Sequence, residues 1–241
     1  MKFYIYCFAE GLDRLNKPPR GVSGARVQLL KIEDLAVLVS VRRADGLALT
    51  HKDAFAHNAV VRSVFKQTTP LLPFRFGQVL TGQQLRNYVS RHRQAIKARL
   101  AHVRGCAEMN VRMIGVRENA PPPVVEPAKP VGPGTRFLLD KRKEFRGDEW
   151  RTAQTAELSK WFSEKLGNIT RDQQIFVVPS ERVVVAKADH LVERSHIAEY
   201  RTKIARAIEE RPETRFMVSG PWPPYSFANI ELEFGSQFGV S

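Results

Sequence analysis

Short apolar runs and two amphipathic stretches divide the first 104 residues into strands and helices. Thr50 and Asp53 have the spacing of a capping box, which predicts a helix from Thr50 to about Lys66. A second helix is predicted over residues 83–101 by apolar positions that recur every three or four residues. Apolar runs with β-branched and aromatic residues predict strands over residues 2–8, 26–32, 35–41 and 71–76, the middle two as a hairpin.

Each predicted helix has an apolar face, which is expected to be buried, and a polar face, which is expected to be solvated. The first helix has its expected apolar anchors at Phe55, Val61, Val64 and Phe65. The second has its core stripe at Leu85, Val89, Ile96, Leu100 and Val103. Arg86, Arg93 and Lys97 then fall on the solvated side of the second helix.

The pattern changes near residue 105, where a second set of elements begins. Strands are predicted over residues 106–116, 174–178, 182–188 and 214–219, with a long helix over 136–166 and another helix over 195–210. Gly147 is a candidate break in the long helix. This order is β-α-β-β-α-β, the ferredoxin-like arrangement, in which right-handed crossovers place both helices on one face of an antiparallel sheet.

The sequence therefore predicts an α+β protein with two domains. The first is a small α+β domain over residues 1–104, and the second is a ferredoxin-like domain over residues 105–227 with a long first helix. Residues 119–134 contain six prolines among sixteen residues and predict an extended loop inside the second domain. Residues 228–241 form a tail in which Ile230, Leu232 and Phe234 alternate, as in an edge strand of this protein or of a complex.

Positive charge is concentrated in the first domain. The chain has a net charge of +13, of which residues 1–103 carry +11, from 17 Lys or Arg and 6 Asp or Glu. No acidic residue occurs from Ala54 to Ala107, where nine basic residues do. The surplus indicates an acidic partner or an anionic surface, and the alternative is a solvated face that only supports solubility.

No motif of an enzyme or of a metal site is present in the sequence. The six histidines lack helical zinc spacings, and there is no Walker A loop, Gly-x-Ser-x-Gly elbow or dinucleotide fingerprint. Cys7 and Cys106 fall in predicted strands and are expected to be buried, reduced thiols. No apolar run is long enough to span a bilayer, and the chain opens without a signal-peptide pattern, so we expect a cytoplasmic protein without a cofactor.

Two strings about 150 residues apart are dense in Pro, Gly and aromatic residues: PLLPFRFGQVL from Pro70 and GPWPPYSF from Gly220. With YIYCF from Tyr4, DLAVLVSV from Asp34, HNAVV from His57 and GTRFLLDKR from Gly134, they resemble the gas vesicle protein F/L family over most of the chain. The structural interpretation of the strings is that Phe74 and Phe76 form a buried pair, with Arg75 pointing outward. Trp222, Tyr225 and Phe227 would then seal the two domains together.

The resemblance implies a non-catalytic accessory or minor structural protein that contacts the major gas vesicle wall protein and other gas vesicle accessory proteins. No small-molecule substrate is expected, and the expected location is the cytoplasm and the gas vesicle. The functional interpretation of the basic residues is that Arg62, Arg75, Arg86, Arg93 and Lys97 face the partner. The alternative is a nucleic-acid-binding module that uses the basic first domain, although the third strand of the second domain lacks the aromatic residues of an RNA-recognition motif.

Overall fold

A computed structural model of the chain describes residues 1–42, 49–68, 70–116, 133–179 and 183–229. The chain divides into two compact units, Met109–Pro221 and the remainder, which comprises Met1–Glu108 and the chain from Trp222 onward. The sequence pattern places residues 222–227 in the second domain, whereas in the structure they belong to the first unit. Most of the Pro-rich loop and of the C-terminal tail lies outside the described residues.

The first unit is a five-stranded antiparallel sheet with two helices. The sheet has the order β2-β3-β1-β4, and β5 also pairs with β1. In β1 and β3, six consecutive residues are buried, which explains why neither strand shows a two-residue alternation in the sequence. The elements are β1 (Lys2–Ala9), β2 (Val27–Ile32), β3 (Leu35–Arg42), α1 (His51–Gln67), β4 (Leu71–Pro73), β5 (Val79–Thr81) and α2 (Gly82–Val103).

Both helices of the first unit begin at a capping box. The predicted box of Thr50 and Asp53 is present at the start of α1, and a second box, of Thr81 and Gln84, starts α2. All five predicted stripe residues of α2 are buried. The prediction for Phe55 is wrong, because its side chain is 77% exposed, whereas Val60, which was not among the predicted anchors, is fully buried.

The predicted strand over residues 71–76 is shorter in the structure. β4 ends at Pro73, and Gly77 has a φ of 97°, a backbone conformation that favours glycine in the turn before β5. Phe74 is buried but Phe76 is 38% exposed, so the two do not form the expected buried pair. The reason is that residues 74–76 belong to a loop, where side chains do not alternate as they do in a strand.

The second unit is a four-stranded antiparallel sheet with two helices, in the predicted element order. The sheet has the order β7-β8-β6-β9. Gly147 does not interrupt the long helix, and β7 and β8 extend several residues beyond their predicted ends. The elements are β6 (Cys106–Val116), α3 (Pro133–Leu166), β7 (Thr170–Pro179), β8 (Val183–Glu193), α4 (Ile197–Glu209) and β9 (Arg215–Trp222).

The core of the second unit lies between its sheet and its helices. Alternate residues of β6 enter it, together with Phe162 of α3 and Tyr200 of α4. The residues of β6 in this core are Met109, Val111 and Met113, which alternate along the strand. No helix in the described part of the chain is both long and apolar enough to cross a membrane.

Candidate functional site

A buried hydrogen-bonded network joins three of the signature strings in the first unit. The Tyr4 hydroxyl accepts a hydrogen bond from the Gly77 amide (3.0 Å) and lies 2.9 Å from His57 Nδ1. His57 Nε2 lies 3.1 Å from the Phe74 carbonyl oxygen, which can only accept. His57 therefore carries its proton on Nε2 and accepts from Tyr4 on Nδ1. Strand β1, helix α1 and the loop after β4 meet at this one side chain.

The network keeps His57 neutral. Burial lowers the pKa of His57 to about 4, and the hydrogen bond to the Phe74 carbonyl opposes this shift only in part. The rings of Tyr4, Tyr6 and Phe76 surround the imidazole, with centroids 5.6–6.0 Å away. A neutral imidazole with both nitrogens engaged positions the loop and holds no metal ion.

A second network fixes the segment before β2 on the same face of the unit. The Tyr6 hydroxyl accepts from the Val22 amide (2.9 Å) and contacts Ser40 Oγ (3.0 Å). A Cβ atom at Gly21 would lie 2.0 Å from the Tyr6 hydroxyl, so this close approach requires glycine. Asp53 accepts from the amides of Thr50 (3.0 Å) and Ser23 (2.6 Å), and these bonds, chiefly that from Thr50, lower its pKa.

The string GPWPPYSF packs in the first unit from Trp222 onward. The Arg62 guanidinium lies over the Trp222 ring, 5.0 Å from its centroid, and the Tyr225 hydroxyl contacts Asn58 Oδ1 at 3.4 Å. Ser226 donates its amide to Glu108 Oε2 (2.7 Å) and its hydroxyl to Oε1 (3.1 Å). Phe227 is fully buried. Residues 222–229, named here the closing segment, are thus attached to α1 and to the start of β6.

The closing segment also reaches the loop after β4. Arg75 Nη2 donates to Asn229 Oδ1 at 3.4 Å, and Phe74 packs its ring 5.0 Å from that of Phe8. The first string therefore contacts the residue two positions after the end of the second string, although the two strings are about 150 residues apart in the sequence. Neither string predicts this from its own pattern, because the contact depends on where the chain returns after the second unit.

The five predicted partner-binding residues fall into separate groups by their contacts. Arg62 and Arg75 contact the closing segment, as described above, and Arg86 donates to Gln83 Oε1 at 3.1 Å. Arg93 pairs with Glu33 (2.8 Å) and Asp34 (3.2 Å), and Lys97 pairs with the same Asp34.

The acidic partners of α2 come from the turn between β2 and β3, where Glu33 has a positive φ of 55°. The hydrogen bond from Lys97 and, to a smaller extent, that from Arg93 lower the pKa of Asp34 to about 2. The sequence contains no acidic residue near α2 along the chain, so its charge pairs could not be read from local spacing. Two of the basic residues of α2 are therefore paired with the hairpin, whose acidic residues are already counted in the net charge of +11.

The described residues hold no cluster typical of a metal site. They contain no cluster of three or more His, Cys, Asp or Glu side chains with the placement of metal ligands. Cys7 and Cys106 are buried free thiols, and burial raises the pKa of Cys7. In the second unit, His190 is buried against Phe162 and bonds the Tyr200 hydroxyl through Nδ1 (2.8 Å), and burial lowers its pKa to about 4.

Comparisons with known proteins cover nearly the whole chain. The family model described as gas vesicle synthesis protein GvpL/GvpF matches residues 2–229. Gas vesicle protein F1 of Halobacterium salinarum is 25% identical over 240 residues, which cover 98% of this chain and 97% of that protein. Gas vesicle protein L of a Streptomyces species is 26% identical over 255 residues, which cover 95% of this chain and 94% of that protein.

Two solved structures resemble the fold of the chain. The crystal structure of gas vesicle protein GvpF from Microcystis aeruginosa has a TM-score of 0.71 at 15% identity, covering 95% of this chain and 99% of that one. That of GvpF from an Anabaena species has a TM-score of 0.69 at 14% identity, covering 96% and 97%. At such identities the likeness shows a shared arrangement of helices and strands.

Proposed function

Because the chain belongs to the gas vesicle synthesis protein GvpL/GvpF family, we propose that it is a non-catalytic accessory protein that binds the major gas vesicle wall protein and assists vesicle assembly. The observation that carries this proposal is the match of the family model to residues 2–229. The structure supports it in one respect. The signature strings hold one another in place through Tyr4, His57 and the closing segment, as expected of a scaffold that presents a binding surface.

An apolar wall subunit needs a partner before assembly, because exposed apolar surface and unpaired strand edges aggregate in water. A highly charged accessory protein that binds such a subunit lowers the concentration of the aggregating form. We place this activity in the cytoplasm and at the gas vesicle, with other gas vesicle accessory proteins as further partners.

The basic residues of the first unit are the proposed polar contacts of this complex. Arg62, Arg75, Arg86, Arg93 and Lys97 would attract carboxylates of a partner. For Arg93 and Lys97 this requires competition with Asp34, which already binds both. An exposed ion pair of this kind contributes little to stability, so its exchange for a partner carboxylate costs little.

We also propose a ferredoxin-like domain for the second unit. The element order β-α-β-β-α-β and the strand order β7-β8-β6-β9 support this assignment. In this arrangement both helices cover one face of the sheet, and the opposite face is available for other contacts.

Co-expression of the tagged chain with the major wall protein, followed by capture and washing at low and high salt, tests the proposed function. We expect recovery of the wall protein that persists at high salt, because apolar contacts are not screened by ions. Recovery of nucleic acid alone, lost at high salt, would contradict the proposal and favour a polyanion-binding module.

The role of the basic residues is tested with a matched pair of variants. The triple variant R86Q/R93Q/K97Q removes three cations from α2, whereas Asp34→Asn removes only the ion pairs that Arg93 and Lys97 make with Asp34 and leaves the cations in place. We expect capture at low salt to fall about tenfold in the triple variant, and to be kept or increased in Asp34→Asn. Equal losses in both variants would show that the ion pairs act through the fold of the first unit.

A further inference from the structure

Helix α1 presents an exposed strip between two other segments of the first unit. At about 3.6 residues per turn, four exposed residues share a sector of about 60° on this helix: Lys52, Phe55, Ala59 and Lys66. These four residues are named here the α1 strip. Phe55 is 77% exposed, and a lysine lies at each end. The strip is therefore apolar at its centre and cationic at both ends.

The closing segment borders one side of the α1 strip. Asn58 and Arg62 come next around the helix on that side. The Tyr225 hydroxyl contacts Asn58, and the Arg62 guanidinium lies over the ring of Trp222. These contacts place residues 222–225 beside the strip.

Residues 16–23 border the other side of the α1 strip. The Asn16 amide donates to Gln67 Oε1 (3.0 Å), and Gln67 Nε2 donates to the Asn16 carbonyl oxygen (3.2 Å). The Ser23 amide donates to Asp53 Oδ1 (2.6 Å). Asp53 and Gln67 are separated by about 21 Å along the helix axis, and a chain of this length spans at most about 25 Å when fully extended. The segment therefore runs along α1, in the direction opposite to that of the helix.

The cations of this surface are not neutralised within the first unit. Lys17 and Arg20 are exposed on the bordering segment, on either side of two prolines that restrict its backbone. Four cations have no ion-pair partner among the residues that the structure describes: Lys17, Arg20, Lys52 and Lys66. The acidic side chains described in the first 103 residues are engaged elsewhere: Glu10 with Arg104, Asp13 with Lys31, Glu33 and Asp34 with α2, and Asp53 in its capping box. A carboxylate that pairs with these four cations must therefore come from a partner.

The pattern of this surface matches an acidic amphipathic helix. The α1 strip follows one helix face for about 21 Å, which is about four turns. A helix laid between the two bordering segments would place an apolar side chain against Phe55 and pass close to the small side chain of Ala59. Its carboxylates would then meet the cations on both sides. A single nucleic-acid strand fits less well, because it depends on several aromatic residues for stacking and the strip has one.

We propose that the α1 strip, with Lys17 and Arg20 beside it, binds an acidic amphipathic helix of a partner protein. Phe55 supplies the apolar contact, and the four cations bind carboxylates around it. This inference rests on the proposed function for the source of the helix, which is another gas vesicle protein, and it names the surface of this chain that receives it.

A helical peptide tests the site directly. The probe is a fluorescein-labelled peptide of about 18 residues, built from Leu, Ala and Glu, with leucines along one face and glutamates beside them. A second peptide of the same composition in scrambled order keeps the charge and loses the apolar face. Measured by fluorescence anisotropy, the full chain should bind the first peptide about tenfold more tightly, because only that peptide buries an apolar side chain against Phe55. Equal affinities would show that net charge alone attracts the peptide, and would overturn the proposal.

Two variants locate the binding on α1. Phe55→Ser removes the apolar contact, and K52Q/K66Q removes the two lysines, in each case at exposed helix positions. The matched control R91Q/R99Q causes the same change of net charge, at two cations of α2 without ion-pair partners in the described part of the chain. We expect the first peptide to bind about tenfold more weakly to Phe55→Ser and to K52Q/K66Q, and less than about twofold more weakly to the control. An equal loss in the control would overturn the site.

The remaining outcomes separate this inference from the proposed function. If the unmodified chain captures the co-expressed wall protein but binds neither peptide, the α1 strip is not a docking site and the proposed function stands. If the chain binds the first peptide but not the wall protein, the proposed function fails and the docking site stands.

Two competitors for the α1 strip are tested with the same peptide. Displacement of the labelled peptide by a DNA duplex at a lower concentration than by unlabelled peptide would overturn the choice of a protein partner. Binding that begins only after residues 230–241 are removed would also overturn the proposal, because the tail of the chain would then occupy the strip.

Discussion

At the scale of single residues, His57 connects the signature strings of the first unit. Its ring contacts Tyr4, accepts from the tyrosine hydroxyl and donates to the Phe74 carbonyl, so one side chain connects β1, α1 and the loop after β4. The sequence offered His57 only as part of HNAVV, without a role. A histidine that is buried with both nitrogens engaged has a structural role. Protonating it therefore lowers the stability of the whole first unit.

The depressed pKa of His57 predicts a loss of stability in mild acid. The pKa is about 4 in the folded chain and about 6.5 when unfolded, so the unfolded state binds the extra proton between these values. Stability from this residue is complete above pH 6.5 and is lost as the pH falls towards 4. From pH 7 to pH 4.5 we expect the free energy of unfolding to fall by about 2 kcal/mol because of His57 alone, as measured by urea denaturation.

The variant His57→Gln isolates this contribution. Glutamine does not titrate, so its free energy of unfolding should change less between pH 7 and pH 4.5 than that of the unmodified chain. His190 has a lowered pKa as well, and hydrogen bonds lower the pKa of Asp34 and of Asp53. These groups are present in both chains and cancel in the difference. The same pH dependence in both chains would contradict a neutral, buried His57.

At the scale of elements, local signals predicted most helices and strands but not all their ends. The box of Thr50 and Asp53 located α1, and the apolar spacing located α2, because both signals lie within a few residues of the element they define. β5 was missed because three residues are too few to show a pattern, and its pairing with β1 is a long-range contact. Phe55 was misplaced because helical spacing does not reveal which edge of an apolar stripe remains exposed.

The two capping boxes should contribute unequally to stability. Gln84 Oε1 accepts only the Thr81 amide in an exposed setting, whereas Asp53 accepts from Thr50 and also from the Ser23 amide. We expect Gln84→Ala to lower the free energy of unfolding by about 0.5–1 kcal/mol, and Asp53→Ala by about 2–3 kcal/mol. Urea denaturation at pH 7 measures both, and equal effects would show that the Ser23 bond contributes nothing.

At the scale of the whole molecule, contacts between distant segments could not be predicted from the sequence. The order of elements in the second unit follows from the hydrophobic pattern, but the placement of Trp222–Asn229 beside Asn58, Arg62 and Arg75 does not. The pairing of Arg93 and Lys97 with Glu33 and Asp34 is similarly invisible along the chain. The resemblance located the strings that matter, and only the fold shows that the closing segment contacts the loop of the first string.

The division into two units predicts where the effect of a core mutation is felt. Phe227 is fully buried in the first unit although it follows the second unit in sequence, and Ile204 is a buried residue of similar setting in α4. Truncation of either to alanine should cost about 2–5 kcal/mol, through lost burial and the cavity left behind. Measured by hydrogen exchange, Phe227→Ala should lower the protection of the backbone amides of β1 and β3. Ile204→Ala should lower the protection of the backbone amides of β8. Reduced protection in all three strands for both variants would mean that the two units unfold as one, and that the closing segment stabilises the entire chain.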